Sequence, residues 1–158
     1  MKFAHIADTH IKNLKYHYDG NLKNSSRQDA LTPIVDALQH PNLHLLKNSG
    51  EVVLGDDFAL NVLSVFDTDN WAPPSNNERI NIALYHGSIS GCKTDIGWTM
   101  EYGENDTSIF DNFDYAFLGD IHKTNQVLDE AGRIRYAGST IQQNHGETND
   151  KGYLVWDV

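Results

Sequence analysis

Leu118-Gly119-Asp120-Ile121-His122-Lys123, with the apolar run Tyr115 to Leu118 before it, is the stretch that decides how this chain folds. An apolar run that leads through a glycine into a carboxylate and an imidazole two residues apart is typical of a buried strand with ligand-type side chains at its tip. In open α/β sheets, binding sites lie outside the carboxyl ends of the strands. The stretch therefore predicts such a site beside Asp120 and His122.

The chain begins in the same way, because Phe3 to Ala7 leads into Asp8-Thr9-His10. We expect Lys2 to Ala7 to be a short, wholly buried strand. A third apolar run, Ile80 to Tyr85, ends at His86. A single Asp-x-His pair is more often a polar turn after an edge strand. Three strands that each end in ligand-type residues favour one shared site.

The strand ends together supply only oxygen and imidazole donors, without thiolate. The candidate ligands are Asp8, His10, His86, Asp120 and His122. This donor set suits Mn, Fe or Zn in a catalytic site better than a structural zinc site. Two metal ions about 3.5–4 Å apart can clamp a phosphoester, but such a pair needs about seven or eight protein ligands. The ligand set visible in the sequence is therefore incomplete.

The charge distribution limits the classes of function that this chain can have. The net charge is -10, yet residues 1–28 hold five basic and only two acidic side chains, so the rest of the chain is strongly acidic. An acidic body repels nucleic acid unless metal ions or a basic patch offset it. A simple DNA-binding module is therefore disfavoured, whereas a metalloenzyme is permitted.

The remaining sequence predicts one domain, residues 1–158, in the cytoplasm. Cys92 is the only cysteine, which rules out an internal disulfide framework and fits a reducing compartment. No apolar stretch approaches the roughly 18 residues that span a bilayer, and no secretory leader is evident, so no membrane partner is expected.

Turn signals and periodicity predict the other elements. Gly55-Asp56-Asp57 between two alternating runs predicts a hairpin turn rather than a ligand motif. A second hairpin is expected over 126–136, and apolar residues at helical spacing predict a helix over about 27–39. In the irregular segment 88–112, Trp98, Met100 and Tyr102 alternate. They either pack within the loop or form a wall beside a substrate groove, and the sequence leaves both open.

The order of the motifs resembles the calcineurin-like metallophosphoesterases, and within them the SbcD-type DNA repair nuclease. The matching stretches are Asp8-Thr9-His10, Tyr85-His86-Gly87, Gly119-Asp120-Ile121-His122-Lys123, and Gly138-Ser139 through Gly146-Glu147. The resemblance spans Phe3 to Asp157. It implies an α/β (α+β) fold, namely a two-layer β-sandwich flanked by helices.

The resemblance also implies two Mn²⁺ ions at the strand ends. Asp8, His10 and His122 would bind the first ion, and His86 would bind the second, with Asp120 beside it. It further implies DNA as substrate, an SbcC-type ABC ATPase as partner, and a possible homodimer. The implied activity is that of an exonuclease or endonuclease in double-strand-break processing and DNA recombination.

The chain departs from the family pattern in three places. Asp120 stands where the family usually has a histidine. The Gly-Asp and Gly-Asn-His-Asp motifs are not intact between residues 10 and 29, which predicts an internal deletion near residues 18–19 and a missing general-acid histidine. The family also continues, beyond the strand Tyr153 to Asp157, into a capping domain.

These departures leave three hypotheses. The first is the core of a Mn-dependent DNA nuclease. The second keeps the fold and changes the substrate to a small phosphoester. The third is a catalytically incomplete scaffold of the same fold.

Overall fold

A computed structural model of the protein describes residues 1–8, 44 and 46–158. Residues 1–8 and 48–158 belong to one compact unit. The other unit, His10–Lys47, falls almost entirely outside the described residues. The predicted ligand His10, the predicted helix over 27–39 and the predicted deletion near 18–19 lie there, so all three stay predictions.

Eight strands form two sheets in the described part of the chain. The strands are β1 (Lys2–His5), β2 (Gly50–Leu54), β3 (Phe58–Leu63), β4 (Ile80–His86), β5 (Tyr115–Gly119), β6 (Gln126–Val127), β7 (Ile134–Tyr136) and β8 (Leu154–Asp157). The larger sheet has the order β2-β3-β4-β5-β7-β6, and β1 pairs separately with β8. The helical elements of the described residues are two 3₁₀ turns, Thr68–Asn70 and Thr107–Phe110.

Parallel strands form the centre of the large sheet and hairpins form its edges. Strands β3, β4, β5 and β7 pair in parallel, whereas β2–β3 and β6–β7 are antiparallel. Both predicted hairpins are confirmed. In the first, Leu54 pairs with Phe58 across a turn in which Gly55 has φ +67°, a conformation that glycine adopts without strain. The predicted strands at 80–85 and 115–118 are also confirmed.

One face of the large sheet carries the hydrophobic core. Alternate residues of β4, β5 and β7 point to this face, and Tyr85, Leu118 and Tyr136 are buried there. The segment after β4 covers them with Ile89 and Cys92, which are fully buried. Tyr136 shows how tightly the segment is held, since its hydroxyl donates to the Gly87 carbonyl at 2.7 Å and accepts the Ile89 N–H at 3.0 Å.

The opposite face of the large sheet contacts β1 and β8 through aromatic rings. Phe117 of β5 stacks on His5 at 5.0 Å and on Trp156 at 4.6 Å between ring centroids. Phe3 meets Phe58 edge to face at 5.7 Å. The β1–β8 pair is thus fixed against the strand that leads to Asp120.

The prediction that β1 is wholly buried is wrong. His5 is buried, but Lys2 and Ala4 are exposed. The reason is that in the described structure β1 pairs only with β8, and one face of this small sheet lies against the large sheet while the other faces outward. The apolar run that begins at Phe3 therefore includes a strand, β1, that is buried on one face only.

The described residues form a mixed, sheet-dominated domain with few helical residues. This agrees with the coarse part of the predicted fold class. A two-layer sandwich flanked by helices is not clearly formed by residues 1–8 and 46–158. None of the described helical elements has the length and apolar content needed to cross a bilayer.

Candidate functional site

The carboxyl ends of four chain segments meet at one edge of the large sheet. Strands β4, β5 and β7 are parallel neighbours there, with His86 of β4 directly opposite Gly119 of β5. The segment after β1 joins the same edge, because Ala7 makes a parallel bridge with Ser139 just beyond β7. The pairing thereby brings Asp8, which follows β1, toward the residues that follow β4 and β5.

Asp8 and Asp120 are joined directly. The backbone N–H of Asp120 donates to Asp8 Oδ2 at 3.0 Å. Both residues have positive φ, +49° for Asp8 and +88° for Asp120. Residues other than glycine in this region cost on the order of 1–3 kcal/mol and cluster at functional sites. Aspartate tolerates the region better than most side chains.

His86 completes a close group with these two aspartates. Its Nε2 lies 3.8 Å from Asp8 Oδ1, and its side chain is 66% exposed while that of Asp8 is 5% exposed. Gly119 makes room for this ring, since a Cβ at that position would lie 2.6 Å from His86 Nδ1. A side chain at position 119 would therefore displace the His86 ring from its place beside Asp8.

His122 is held at both its backbone and its ring. Its Nδ1 lies 2.8 Å from Glu147 Oε1. Its carbonyl accepts hydrogen bonds from the Ser139 N–H at 3.2 Å and from Lys151 Nζ at 3.0 Å. The motif from Gly138-Ser139 to Gly146-Glu147 thus contacts His122 from two sides.

Burial, hydrogen bonds and neighbouring charges shift the pKa of two carboxyl groups at this edge. Partial burial raises the pKa of Asp120; the nearby Asp8 and Glu104 add to the increase, while His86 and His122 oppose it. Burial alone would raise the pKa of Glu147 as well. Hydrogen bonds from the Gln143 N–H, His122 and Lys151 outweigh burial and lower that pKa to about 2. Glu147 is therefore ionised at neutral pH.

Glu104 is a neighbour of the site that sequence reasoning missed. Its Oε2 accepts the Ser88 N–H at 3.3 Å and the Tyr85 hydroxyl at 3.4 Å. It also explains Gly87, because a Cβ there would lie 2.5 Å from Glu104 Oε2. Glu104 lies in an irregular segment with no periodic pattern. The glycine that follows His86 was the signal in the sequence that could have pointed to it, because Gly87 leaves room for the Glu104 carboxylate.

The structure thus brings together Asp8, His86 and Asp120, with His122 in their electrostatic neighbourhood. His10 lies outside the described residues. Among residues 1–8, 44 and 46–158, no group of three His, Cys, Asp or Glu side chains is arranged to hold a metal ion. The donor atoms are carboxylate oxygens and imidazole nitrogens, which are ligand types that bind Mn²⁺. The predicted Mn²⁺ ligand set stays a prediction.

A viral protein is among the known proteins that this chain resembles. The chain is 35% identical, over 159 aligned positions, to the uncharacterized protein R555 of Acanthamoeba polyphaga mimivirus. The alignment covers 90% of this chain but 11% of R555, so the chain spans about a tenth of the length of this relative. No protein-family model and no solved structure matches the chain.

Proposed function

We propose that this chain is the core of a metal-dependent phosphodiesterase that acts on DNA, of the SbcD-type metallophosphoesterase family. The observation that carries the proposal is the meeting of Asp8, His86 and Asp120 at the carboxyl ends of separate strands. Oxygen and imidazole donors in such a place suit a catalytic divalent cation. The order of the four sequence motifs supports the same family.

In this proposal Asp8, His10 and His122 hold one Mn²⁺ ion, and His86 and Asp120 hold a second. When bound, the ions would supply Lewis acidity and neutralise charge at a phosphodiester. The chain orients the site through the Asp120 N–H, which holds the Asp8 carboxylate in one direction. The His86 side chain is 66% exposed, so a substrate arriving from solvent can reach it.

The same proposal extends to the fold and the partners. We propose a two-layer β-sandwich flanked by helices. The contact of His5 and Trp156 with Phe117 supports such layering. DNA, an SbcC-type ABC ATPase and a second copy of the chain are the proposed partners, in the cytoplasm.

Manganese binding tests the site before any activity is measured. Calorimetric titration of the purified chain with Mn²⁺ should give measurable affinity, and His86→Ala and His122→Ala should each weaken it at least about tenfold. His44→Ala is the matched control, because His44 is an exposed histidine outside the proposed ligand set. Unchanged binding in both site variants would refute the assignment.

Hydrolysis separates the proposed substrate from the alternatives. Mn²⁺-dependent cleavage of linear duplex DNA supports the nuclease. Cleavage of bis(4-nitrophenyl) phosphate without cleavage of DNA supports a small-phosphoester enzyme instead.

The incomplete scaffold is the second candidate. Two observations favour it: the Gly-Asp and Gly-Asn-His-Asp motifs are not intact in the sequence, and no three-residue metal group occurs within the described residues. A chain that binds neither Mn²⁺ nor either substrate would support it, and recovery of Mn²⁺-dependent DNA cleavage would rule it out.

A further inference from the structure

A group of buried charges lies next to His122, outside the strand-end aspartates. The side chains of Glu147 and Lys151 are each 5% exposed, and that of Asp95 is 6% exposed. Burying charges costs several kcal/mol per ion, on the order of the whole gain from pairing them, unless each is fully hydrogen-bonded. Each of these three charges is hydrogen-bonded, so their relative geometry is fixed.

The Glu147 carboxylate is saturated by four donors. Oε1 lies 2.8 Å from both His122 Nδ1 and Asn144 Nδ2, and Oε2 accepts the Gln143 N–H at 2.9 Å and pairs with Lys151 Nζ at 3.2 Å. A carboxylate that accepts at both oxygens has one stable orientation. Since an ionised carboxylate can only accept, His122 must donate from Nδ1.

Lys151 contacts the same histidine at its backbone carbonyl. Its ammonium group contacts three acceptors, which are Asp95 Oδ2 at 2.5 Å, Glu147 Oε2 at 3.2 Å and the His122 carbonyl at 3.0 Å. The three N–H donors of a lysine are thereby all used. Lys151 thus holds the His122 carbonyl directly and the His122 ring through Glu147. Asp95, which pairs with Lys151, connects this group to the segment after β4.

We propose that Glu147 is a positioning residue that fixes the tautomer and orientation of the His122 imidazole, with Lys151 and Asp95 holding Glu147 in place. This inference deepens the proposed function and rests on it where His122 is a metal ligand. An imidazole that donates Nδ1–H to a carboxylate binds metal through Nε2, and the carboxylate makes that nitrogen more basic. Loss of such a partner typically weakens metal affinity 10–100-fold.

The first measurement needs no metal. Long-range ¹H–¹⁵N spectra of the metal-free chain should show His122 as the single tautomer protonated at Nδ1. In Glu147→Gln we expect a mixture of both tautomers, because the amide can act as donor or acceptor. Glu130→Gln is the matched control, since Glu130 is an exposed glutamate in the β6–β7 turn. A merely structural ion pair would leave the His122 tautomer unchanged.

A milder variant guards against loss of folding. Asn144→Ala removes one donor to Glu147 Oε1 at an exposed position and leaves the ion pair with Lys151 in place. It should broaden or shift the His122 ring signals less than Glu147→Gln does. An unchanged single tautomer in both variants would overturn the positioning role.

Mn²⁺ titration then separates the inference from the proposed function. A tautomer mixture together with 10–100-fold weaker Mn²⁺ binding in Glu147→Gln supports both. A tautomer mixture without any effect of Glu147→Gln or His122→Ala on Mn²⁺ binding supports the positioning of the ring and refutes the assignment of His122 as a ligand.

Discussion

The backbone N–H of Asp120 donates to the carboxylate of Asp8 at 3.0 Å, across 112 positions of sequence, and both residues have positive φ. Two strand ends are thus joined by a hydrogen bond from one candidate ligand to another. Burial raises the pKa of the Asp120 carboxyl group, and the negative charge of the nearby Asp8 adds to the increase. The two positive φ angles cost conformational energy that an ordinary turn would avoid, and such strained residues cluster at functional sites.

Substitutions at Asp120 should separate its backbone conformation from its charge. Asparagine tolerates positive φ, so Asp120→Asn should keep the free energy of unfolding within about 0.5 kcal/mol of the wild type. Valine is β-branched, and Asp120→Val should lower that free energy by about 2 kcal/mol because φ is +88°. Urea unfolding measures both values. Equal stability of the two variants would contradict the backbone argument.

The ligand role of Asp120 is tested on the same two variants. Both lack the carboxylate, so both should bind Mn²⁺ more weakly than the wild type by about tenfold or more. Weaker binding in Asp120→Val alone would trace the loss to the backbone rather than to the carboxylate.

Gly119→Ala should impair the site with little effect on stability. The added Cβ would lie 2.6 Å from His86 Nδ1, and the exposed His86 ring can move away. We expect a change below about 1 kcal/mol in the free energy of unfolding and about tenfold weaker Mn²⁺ binding, since the ring leaves Asp8. Calorimetry and urea unfolding give the two values.

Gly152→Ala is the control for this substitution, because a Cβ at Gly152 would have no atom within 4 Å. It should leave Mn²⁺ binding unchanged. The same loss of binding in both variants would show that the effect does not come from His86.

The strands and hairpins were predictable because their signals are local. The apolar run before Gly119 and the Gly55-Asp56-Asp57 turn each specify an element within a few residues. The pairing of β1 with β8 joins the two ends of the chain, which no local pattern encodes. For the same reason the exposed face of β1 was not foreseen.

The site was predictable where ligand-type residues end strands, as at Asp8, His86 and Asp120. Glu104, Asp95 and Lys151 were missed because they lie in irregular segments, and their partners are distant in sequence. Glu147 was noticed as part of a motif, but its contact with His122 required the fold.

Trp98→Ala should distinguish a DNA substrate from a small phosphoester. Trp98 is 58% exposed, whereas Met100, two residues later, packs against the core. The Trp98 ring is therefore free to contact a substrate. The Thr94 N–H donates to the Trp98 carbonyl, and this turn contains Asp95, which reaches Lys151 beside His122. Stacking of a base on such a ring contributes about 1–3 kcal/mol.

We therefore expect Trp98→Ala to lower cleavage of single-stranded DNA about tenfold and to leave cleavage of bis(4-nitrophenyl) phosphate unchanged. Phe66→Ala is the matched control, because Phe66 is 70% exposed and follows β3. An equal loss on both substrates would indicate that Trp98 supports the site rather than contacting DNA.

His5 should make the stability of the domain depend on pH between about 6.5 and 4. Burial lowers its pKa from 6.5 to about 4, against opposing effects of the Leu118 carbonyl and Asp8. Its Nε2 lies 3.0 Å from the Leu118 carbonyl oxygen, and Nδ1 has no hydrogen-bond partner among the described residues, so protonation would bury an N–H without an acceptor.

Because the folded pKa lies below the unfolded value, the unfolded chain binds the proton first, and stability is complete above pH 6.5 and falls toward pH 4. The full loss is about 3 kcal/mol. His5→Gln should flatten the free energy of unfolding across this window, whereas His44→Ala should keep the wild-type slope. Glu147, whose pKa falls from 4.5 to about 2, acts at lower pH, where acidification removes its contribution. A wild-type slope retained in His5→Gln would assign the pH dependence to another group.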